Sequence, residues 1–331
     1  MKDLIVSGIK PTSVPHIGNY IGSLKQWVEL QGSHKSLIFI ADLHAITVPQ
    51  DPTELRQHII DITATYLAVG LDPKHCTLFI QSEVPEHAEL GWILGCIAKL
   101  GEMERMTQFK DKTKKEGTER AGLGLFSYPA LMAADILLYD AAAVPVGEDQ
   151  VQHLELTRVL ARRFNDRFGE TFVIPQPIVQ KMGARIMSLQ DPTSKMSKSD
   201  PNPNACISLL DDADTMRKKI MRAVTDSDGG VTYDPETKPA IANLLTIFHH
   251  MTGKPITEIE KTFKNKGYGD FKKALADAVV DHLSPITTKI LAHREDPSEV
   301  LRVLNEGREE ARAMASKKMR VVRERVGLGR A

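Results

Sequence analysis

Cysteine is scarce in this chain: three among 331 residues, at positions 76, 96 and 206, with no C-x-x-C spacing. An odd, sparse set argues against a disulfide framework and against a structural zinc site. No run of 18 apolar residues occurs, so no membrane-spanning helix is expected. The opening residues turn polar by Ser7 and hold no apolar core of a leader, so the chain reads as cytosolic. Net charge is missing as well, with 43 Lys and Arg against 43 Asp and Glu, which removes any global field for nucleic acid. Several nucleotide and hydrolase fingerprints are absent: GxxxxGK[ST], GxGxxG after the first strand, GxSxG and HExxH. The 11 histidines do not fall at metal-ligand spacing, so no metal site is expected.

What is present is ordinary globular material. Hydrophobic residues make up 42% and charged residues 26%, which excludes overall disorder and fits one large domain or two ordinary ones. Strand-like runs at Leu4–Ile9, Leu37–Ala41, Cys76–Ile80 and Ala143–Val146 are short and apolar on both faces, as parallel strands are. Helical spacing links Ile17, Tyr20, Ile21, Leu24, Trp27 and Val28. Asp51, Pro52 and Glu54 form a helix start of capping-box type, and Gly70 with Pro73 stops that helix. Further helices are expected at Glu86–Leu100, Pro129–Tyr139 and 150–168. Alternation of strand and helix predicts an α/β fold, a doubly wound parallel sheet with right-handed crossovers.

After Lys195–Ser199 the character changes. Leucine, alanine and charge dominate, and helices are expected at Asp211–Val224, Pro239–Met251, Ile256–Phe263, Phe271–Leu283 and Pro297–Val326. A boundary is placed near residue 190, between the α/β domain 1–190 and an all-helical domain 191–296. A last helix, 297–331, is left free to pack back on the first domain. Residues 301–331 carry nine Arg and Lys against four Glu. That basic tail reads either as a solvated helix face or as a phosphate contact.

Two segments carry chemistry. His16-Ile17-Gly18-Asn19 opens the first helix just beyond the first strand, where a helix N-terminus favours anions and nucleotides. Gly18 lets a flat group approach the backbone, and His16 and Asn19 offer neutral hydrogen-bond donors. Lys195-Met196-Ser197-Lys198-Ser199, followed by Asp200 and Pro201, sets two lysines three apart in a loop. Lysine point charges suit a phosphate chain on which negative charge builds. Each segment also has a plain reading, the first as a turn and the second as a solvated linker.

Taken together, the two segments resemble the paired signatures of class I aminoacyl-tRNA synthetases. Met106-Thr107-Gln108-Phe109-Lys110, Met132-Ala133-Ala134-Asp135-Ile136-Leu137, Pro145-Val146-Gly147-Glu148-Asp149-Gln150 and Gly183–Leu189 are similar to segments of the bacterial tryptophanyl-tRNA synthetases. The likeness is colinear from about residue 4 to residue 329. It implies a Rossmann-type catalytic domain, a helical anticodon-binding domain and a homodimer. It further implies use of ATP with Mg²⁺, L-tryptophan and tRNA(Trp). Its ATP contacts fall on Lys10, Pro11, Thr12, Gly18, Asn19, Gly147, Glu148, Asp149, Ile186, Lys195, Met196, Ser197, Lys198 and Ser199. Its amino-acid contacts fall on Asp135, Met132, Tyr128, His44 and Gln150, and catalysis would rest on Lys195, Lys198, Gln150 and Lys112.

The residues themselves fit much of this. Tyr128, Met132 and Asp135 are four and then three apart, so a helix puts them on one face. A carboxylate among Ala133, Ala134, Ile136 and Leu137 needs a donor, and an indole N–H is one. An ion pair with an arginine of the following helix is the alternative. Asp149 equally suits a helix cap, and Lys110 and Lys112 equally suit a solvated loop. The chain departs from the family pattern at Lys10-Pro11-Thr12-Ser13, where Gln-Pro-Ser-Gly is usual. It departs again at His16, often Thr, and at Asp42-Leu43-His44, usually Asp-Gln-His. A tyrosyl enzyme of the same class is the nearest rival, with Tyr128 or Tyr139 beside Asp135 as the phenol partner.

Overall fold

A computed structural model describes residues 4–107, 109–110, 122–146, 150–179, 185–198, 200–227 and 229–329. Five strands form one parallel sheet: β1 (Leu4–Ile9), β2 (Lys35–Ile40), β3 (Cys76–Ile80), β4 (Ala143–Val146) and β5 (Gln176–Val179). Their order is β3-β2-β1-β4-β5. The order reverses between β1 and β4, and crevices for ligands open at the carboxyl ends of strands flanking such a point. The expected doubly wound α/β layer is therefore present. Alternation within β2 explains why the sheet is buried on both faces. Ile38 and Ile40 enter one core with Ile62, Leu245 and Leu283. Leu37 and Phe39 enter the other with Leu90, Leu137 and Leu160.

The first helical stretch is composite: α1 (Ile17–Asn19), a π-helical turn (Tyr20–Leu24) and α2 (Lys25–Leu30). π turns concentrate at functional sites. A short α3 (Asp42–Ala45) follows β2, and α4 (Pro52–Val69) begins as read, with Asp51 accepting from the N–H groups of Thr53 and Glu54. Gly70 ends it at φ 106°, a conformation glycine adopts without strain. Next come α5 (Glu86–Ile97), α6 (Leu100–Met103), α7 (Leu123–Leu137) and α8 (Val151–Phe168). Two expectations need correcting. Helix α7 starts six residues before Pro129 and carries that proline inside it. Strand β5 had no counterpart in the sequence reading.

The remainder is helical: α9 (Ala213–Arg222), α10 (Pro239–Thr252), α11 (Ile256–Phe263), α12 (Tyr268–Glu295) and α13 (Ser298–Val326). Helix α12 runs through Pro285 and ends at Glu295, twelve residues beyond its expected end at Leu283. The last helix crosses the edge of the sheet at β3. Its first half, with Val300, Val303 and Leu304, belongs to one core. Its second half, with Ala311, Ala315 and Met319, belongs to the other. At the crossing, a Cβ on Gly307 would lie 1.8 Å from the Leu78 carbonyl oxygen, so only glycine permits the approach. No helix among the described residues is long and apolar enough to cross a membrane.

Candidate active site

The site begins with the signature segment after β1. His16 is the N-cap of α1: its Nδ1 accepts the Gly18 N–H at 3.1 Å, and its own N–H reaches Asn19 Oδ1 at 3.0 Å. A ring nitrogen that accepts carries no proton, so the opposite nitrogen, Nε2, holds the proton of the neutral ring. Burial, then the charges of Lys195 and Lys198, press the His16 imidazolium pKa down to about 4. His16 is thus a neutral donor at pH 7. Gly18 is required here, since a Cβ would sit 2.9 Å from the His16 ring.

The second signature is brought to the first. Ile17 N–H donates to Ile207 O at 2.9 Å and Leu209 N–H to Pro15 O at 3.0 Å, which stitches residues 15–17 to the chain beyond the lysine loop. Met196 is buried, and its N–H donates to Ile186 O at 3.1 Å. Ile186 in turn lies 3.5 Å from the Cβ position of Gly18. Met196 therefore anchors the loop, while Lys195 and Lys198 stay exposed with their charges felt at His16.

A cavity of about 840 Å³ opens at the carboxyl ends of β1 and β4. That is toward the upper end of the range for small-molecule sites, roughly 300–1,000 Å³. Its wall includes Lys10, Thr12, Asn19, His44, Tyr128, Met132, Asp135 and Gln150. The structure thus gathers eight of the expected site residues in one place. Pro11, Gly18, Ile186 and residues 195–198 lie outside that wall, around the signature helix. Lys112, Gly147, Glu148, Asp149 and Ser199 lie outside the described residues.

Asp135 is 1% exposed and has no arginine partner among the described residues. His44 Nε2 donates to its Oδ2 at 2.7 Å, while Gln81 Nε2 and His87 Nδ1 donate to its Oδ1 at 2.6 and 2.7 Å. Burial alone would raise this carboxyl, but the charge and hydrogen bond of His44, then those of His87, outweigh it and hold the pKa at about 2. His44 is placed by Asp42, whose Oδ1 accepts the N–H groups of Leu43 and Ser82, both at 3.0 Å, tying the ends of β2 and β3 together. Beside His44, at 6.1 Å between ring centres, the Tyr128 hydroxyl meets His153 Nε2 at 2.7 Å, and Lys10 Nζ stands 5.5 Å from the centre of the Tyr128 ring. Burial pushes the Tyr128 phenol up to about 12.

Tyr139 was named only for the tyrosyl alternative, while sequence reasoning missed Gln81, His87 and His153 as members of this assembly. They come from segments with no spacing signal, and a single buried histidine looks like any other.

The chain belongs to the class I tRNA synthetases (W and Y), whose family pattern matches residues 3–284. Within that family it is similar to proteins that act with tryptophan. The "Tryptophan--tRNA ligase" of Caldanaerobacter subterraneus subsp. tengcongensis is 55% identical over 324 residues, 98% of each chain. That of Bacillus subtilis (strain 168) is 54% identical over 330 residues, 100% of this chain and 99% of the other. The crystal structure of tryptophanyl-tRNA synthetase from Mycoplasma pneumoniae superposes with a TM-score of 0.88 at 40% identity, covering 99% of both chains. The Campylobacter jejuni enzyme, complexed with ADP and tryptophan, gives 0.86 at 35% identity over 98% of this chain and 100% of that one.

Proposed function

We propose that this chain is a tryptophan–tRNA ligase. It activates L-tryptophan with ATP: a tryptophan carboxylate oxygen bonds to the α-phosphorus, the bond to the bridging oxygen breaks, and pyrophosphate leaves. The terminal ribose of tRNA(Trp) then takes the tryptophanyl group from the adenylate, and AMP departs. The observation that carries the choice of amino acid is a buried, ionised Asp135 in the cavity wall, on the same face of α7 as Met132 and Tyr128. An indole N–H suits that acceptor, and Met132 offers a polarizable contact for the flat ring. Tyr128 and Gln150 are assigned the polar end of the amino acid.

Lys195 and Lys198 are assigned the phosphate chain, and His16 with Asn19 the neutral donors beside it. These charges favour the transition state, where the leaving pyrophosphate gains charge. Among the described residues, no three His, Cys, Asp or Glu are grouped to hold a metal. Mg²⁺ would be held chiefly by the phosphate oxygens of ATP, where it would neutralise charge on the phosphate chain. The tyrosyl reading fits less well: of its two phenol partners, Tyr139 bonds His87 and does not line the cavity, and Tyr128 lines it with its hydroxyl on His153.

The same reading extends to partners. Residues 1–190 are assigned catalysis, 191–296 the tRNA anticodon, and 297–331 a helix that returns to the sheet. Trp92, Leu100 and Leu123, on α5, α6 and α7, are 75%, 72% and 78% exposed, and a second copy of the chain is assigned to that apolar face. The site of action is the cytoplasm. Pyrophosphate exchange against all twenty amino acids tests the whole reading. Exchange with tryptophan, and tyrosine lower by roughly 10⁴-fold, is expected of a site built around one N–H. Equal exchange with tyrosine would overturn it.

A further inference from the structure

Gln81, His87 and Tyr139 stand behind Asp135, away from the cavity. Asp135 and His44 line the cavity and these three do not. All three are buried. Each carboxylate oxygen offers two lone pairs. Oδ1 accepts from both Gln81 and His87 and is full; among the described residues Oδ2 accepts from His44 alone and keeps one acceptor direction. That remaining direction belongs to the oxygen shared with a cavity residue.

An ionised carboxylate only accepts, so His87 Nδ1 carries a proton toward it. Tyr139 hydroxyl closes the chain on His87 Nε2 at 2.8 Å, and the rings of Tyr139 and Phe79 pack the imidazole at 5.4 and 5.9 Å. A ring flip would break both bonds of His87. Two segments thus converge on the Oδ1 of Asp135, the turn after β3 and the start of α5, and Tyr139, just beyond α7, holds the second of them. Gln81 Oε1 is meanwhile buried without a partner among the described residues. Turned over, the amide would set its oxygen against the carboxylate, so the charge of Asp135 holds the Gln81 nitrogen on Oδ1.

We propose that Gln81, His87 and Tyr139 are positioning residues that turn one acceptor of Asp135 to the cavity and so set tryptophan over tyrosine. The idea rests on the ligase reading above. An indole N–H only donates and is satisfied by that acceptor. A phenol also donates, but its oxygen must accept in turn. Gln81, His87 and His44 are already committed to Asp135, so a buried phenol oxygen finds no donor from them. Loosening the chain behind Asp135 weakens the grip on indole and releases a donor for the phenol.

The test compares His87→Leu, His87→Asn, Gln81→Met and Tyr139→Phe in pyrophosphate exchange with tryptophan and with tyrosine. Asparagine presents an N–H near the place of Nδ1. In His87→Leu, the KM for tryptophan should rise roughly 10- to 100-fold, the size of a lost hydrogen bond to a charged group. The KM for ATP should stay within about twofold, and the tryptophan-to-tyrosine preference should drop at least about tenfold. His87→Asn should recover most of the loss, and Tyr139→Phe should follow His87→Leu at smaller size. Unchanged tryptophan KM and preference in His87→Leu would overturn the proposal. So would parallel rises in both KM values, which mark damaged packing. Should His87→Leu not fold, Gln81→Met decides on the same two readouts. A wild-type chain that exchanges with another amino acid as well as or better than with tryptophan sinks the functional reading itself, a result distinct from any variant's.

Discussion

His16 ties local structure to pH. Its ring accepts the Gly18 N–H and lies under the influence of two lysines, so protonating it costs the fold. The native value of about 4 lies below the ordinary 6.5. Between those values the unfolded chain binds a proton that the native chain refuses, so stability is full above about pH 6.5 and falls as pH drops toward 4. The shift corresponds to about 3 kcal/mol at most. His16→Gln should therefore flatten the loss of stability between pH 7 and pH 4.5, measured by urea unfolding at both. His250 and His282 are also depressed, so a shallower slope is expected and not a flat one. An unchanged slope would mean that His16 protonates freely in the folded chain. Asp135 makes a second residue-scale test. Asp135→Asn keeps the volume and places an amide where three donors converge, so tryptophan exchange should fall by roughly 100-fold or more while ATP binding persists. Retained selectivity would make the carboxylate merely structural. Asp135, Met132 and Tyr128 were legible because one helix face sets their spacing. Gln81 and His87 were not, because they reach the same oxygen from other elements and periodicity says nothing across elements.

Elements were legible where burial and boundary agreed. Strands β1, β3 and β4 match their apolar runs, and β2 is displaced by one or two residues, because turn residues bound runs buried on both faces. Strand β5 was hidden by composition: Pro175 precedes it and Pro177 lies inside it. Proline donates no hydrogen bond, which an edge strand paired only to β4 tolerates. The same residue misled the other way in α7. Proline at the first helical turn is common, yet Pro129 sits in the seventh position, amid a segment rich in leucine and alanine whose burial outweighs the missing bond. Gly307 carries the element-scale prediction. Its bare backbone lets α13 lie against the Leu78 carbonyl, and a methyl group there has no side chain to displace, only backbone. Gly307→Ala should raise helix propensity and still destabilise the chain by about 1–3 kcal/mol, as overpacking does. Urea unfolding measures it, and a stability gain would show that α13 shifts away from β3 at no cost.

Across the whole molecule, α13 decides how the basic tail is used. Nine Arg and Lys in the last 31 residues left two readings open, a solvated helix face and a phosphate contact, and Arg320 and Arg323 are the cations that separate them. The fold separates the two. Arg323 forks onto Glu89 of α5, Nε to Oε1 at 2.7 Å, and that bond leads the causes holding the Glu89 carboxyl below its ordinary value. Lys318 likewise reaches Asp140 at 2.6 Å and the Thr171 carbonyl at 2.8 Å. These charges fasten the returning helix to the α/β layer. Arg320 is exposed on the same helix. The two arginines should therefore fail differently when reversed. Arg320→Glu should flatten the salt dependence of tRNA affinity by roughly one unit if it meets a phosphate, and leave stability within about 0.5 kcal/mol. Arg323→Glu sets like charges against Glu89, so it should lower stability by about 1 kcal/mol, and Glu89→Arg in the same chain should restore it. Urea unfolding and tRNA titrations across salt read both effects. Should Arg323→Glu flatten the salt slope without loss of stability, its pairing with Glu89 would be incidental and the tail would belong to the RNA.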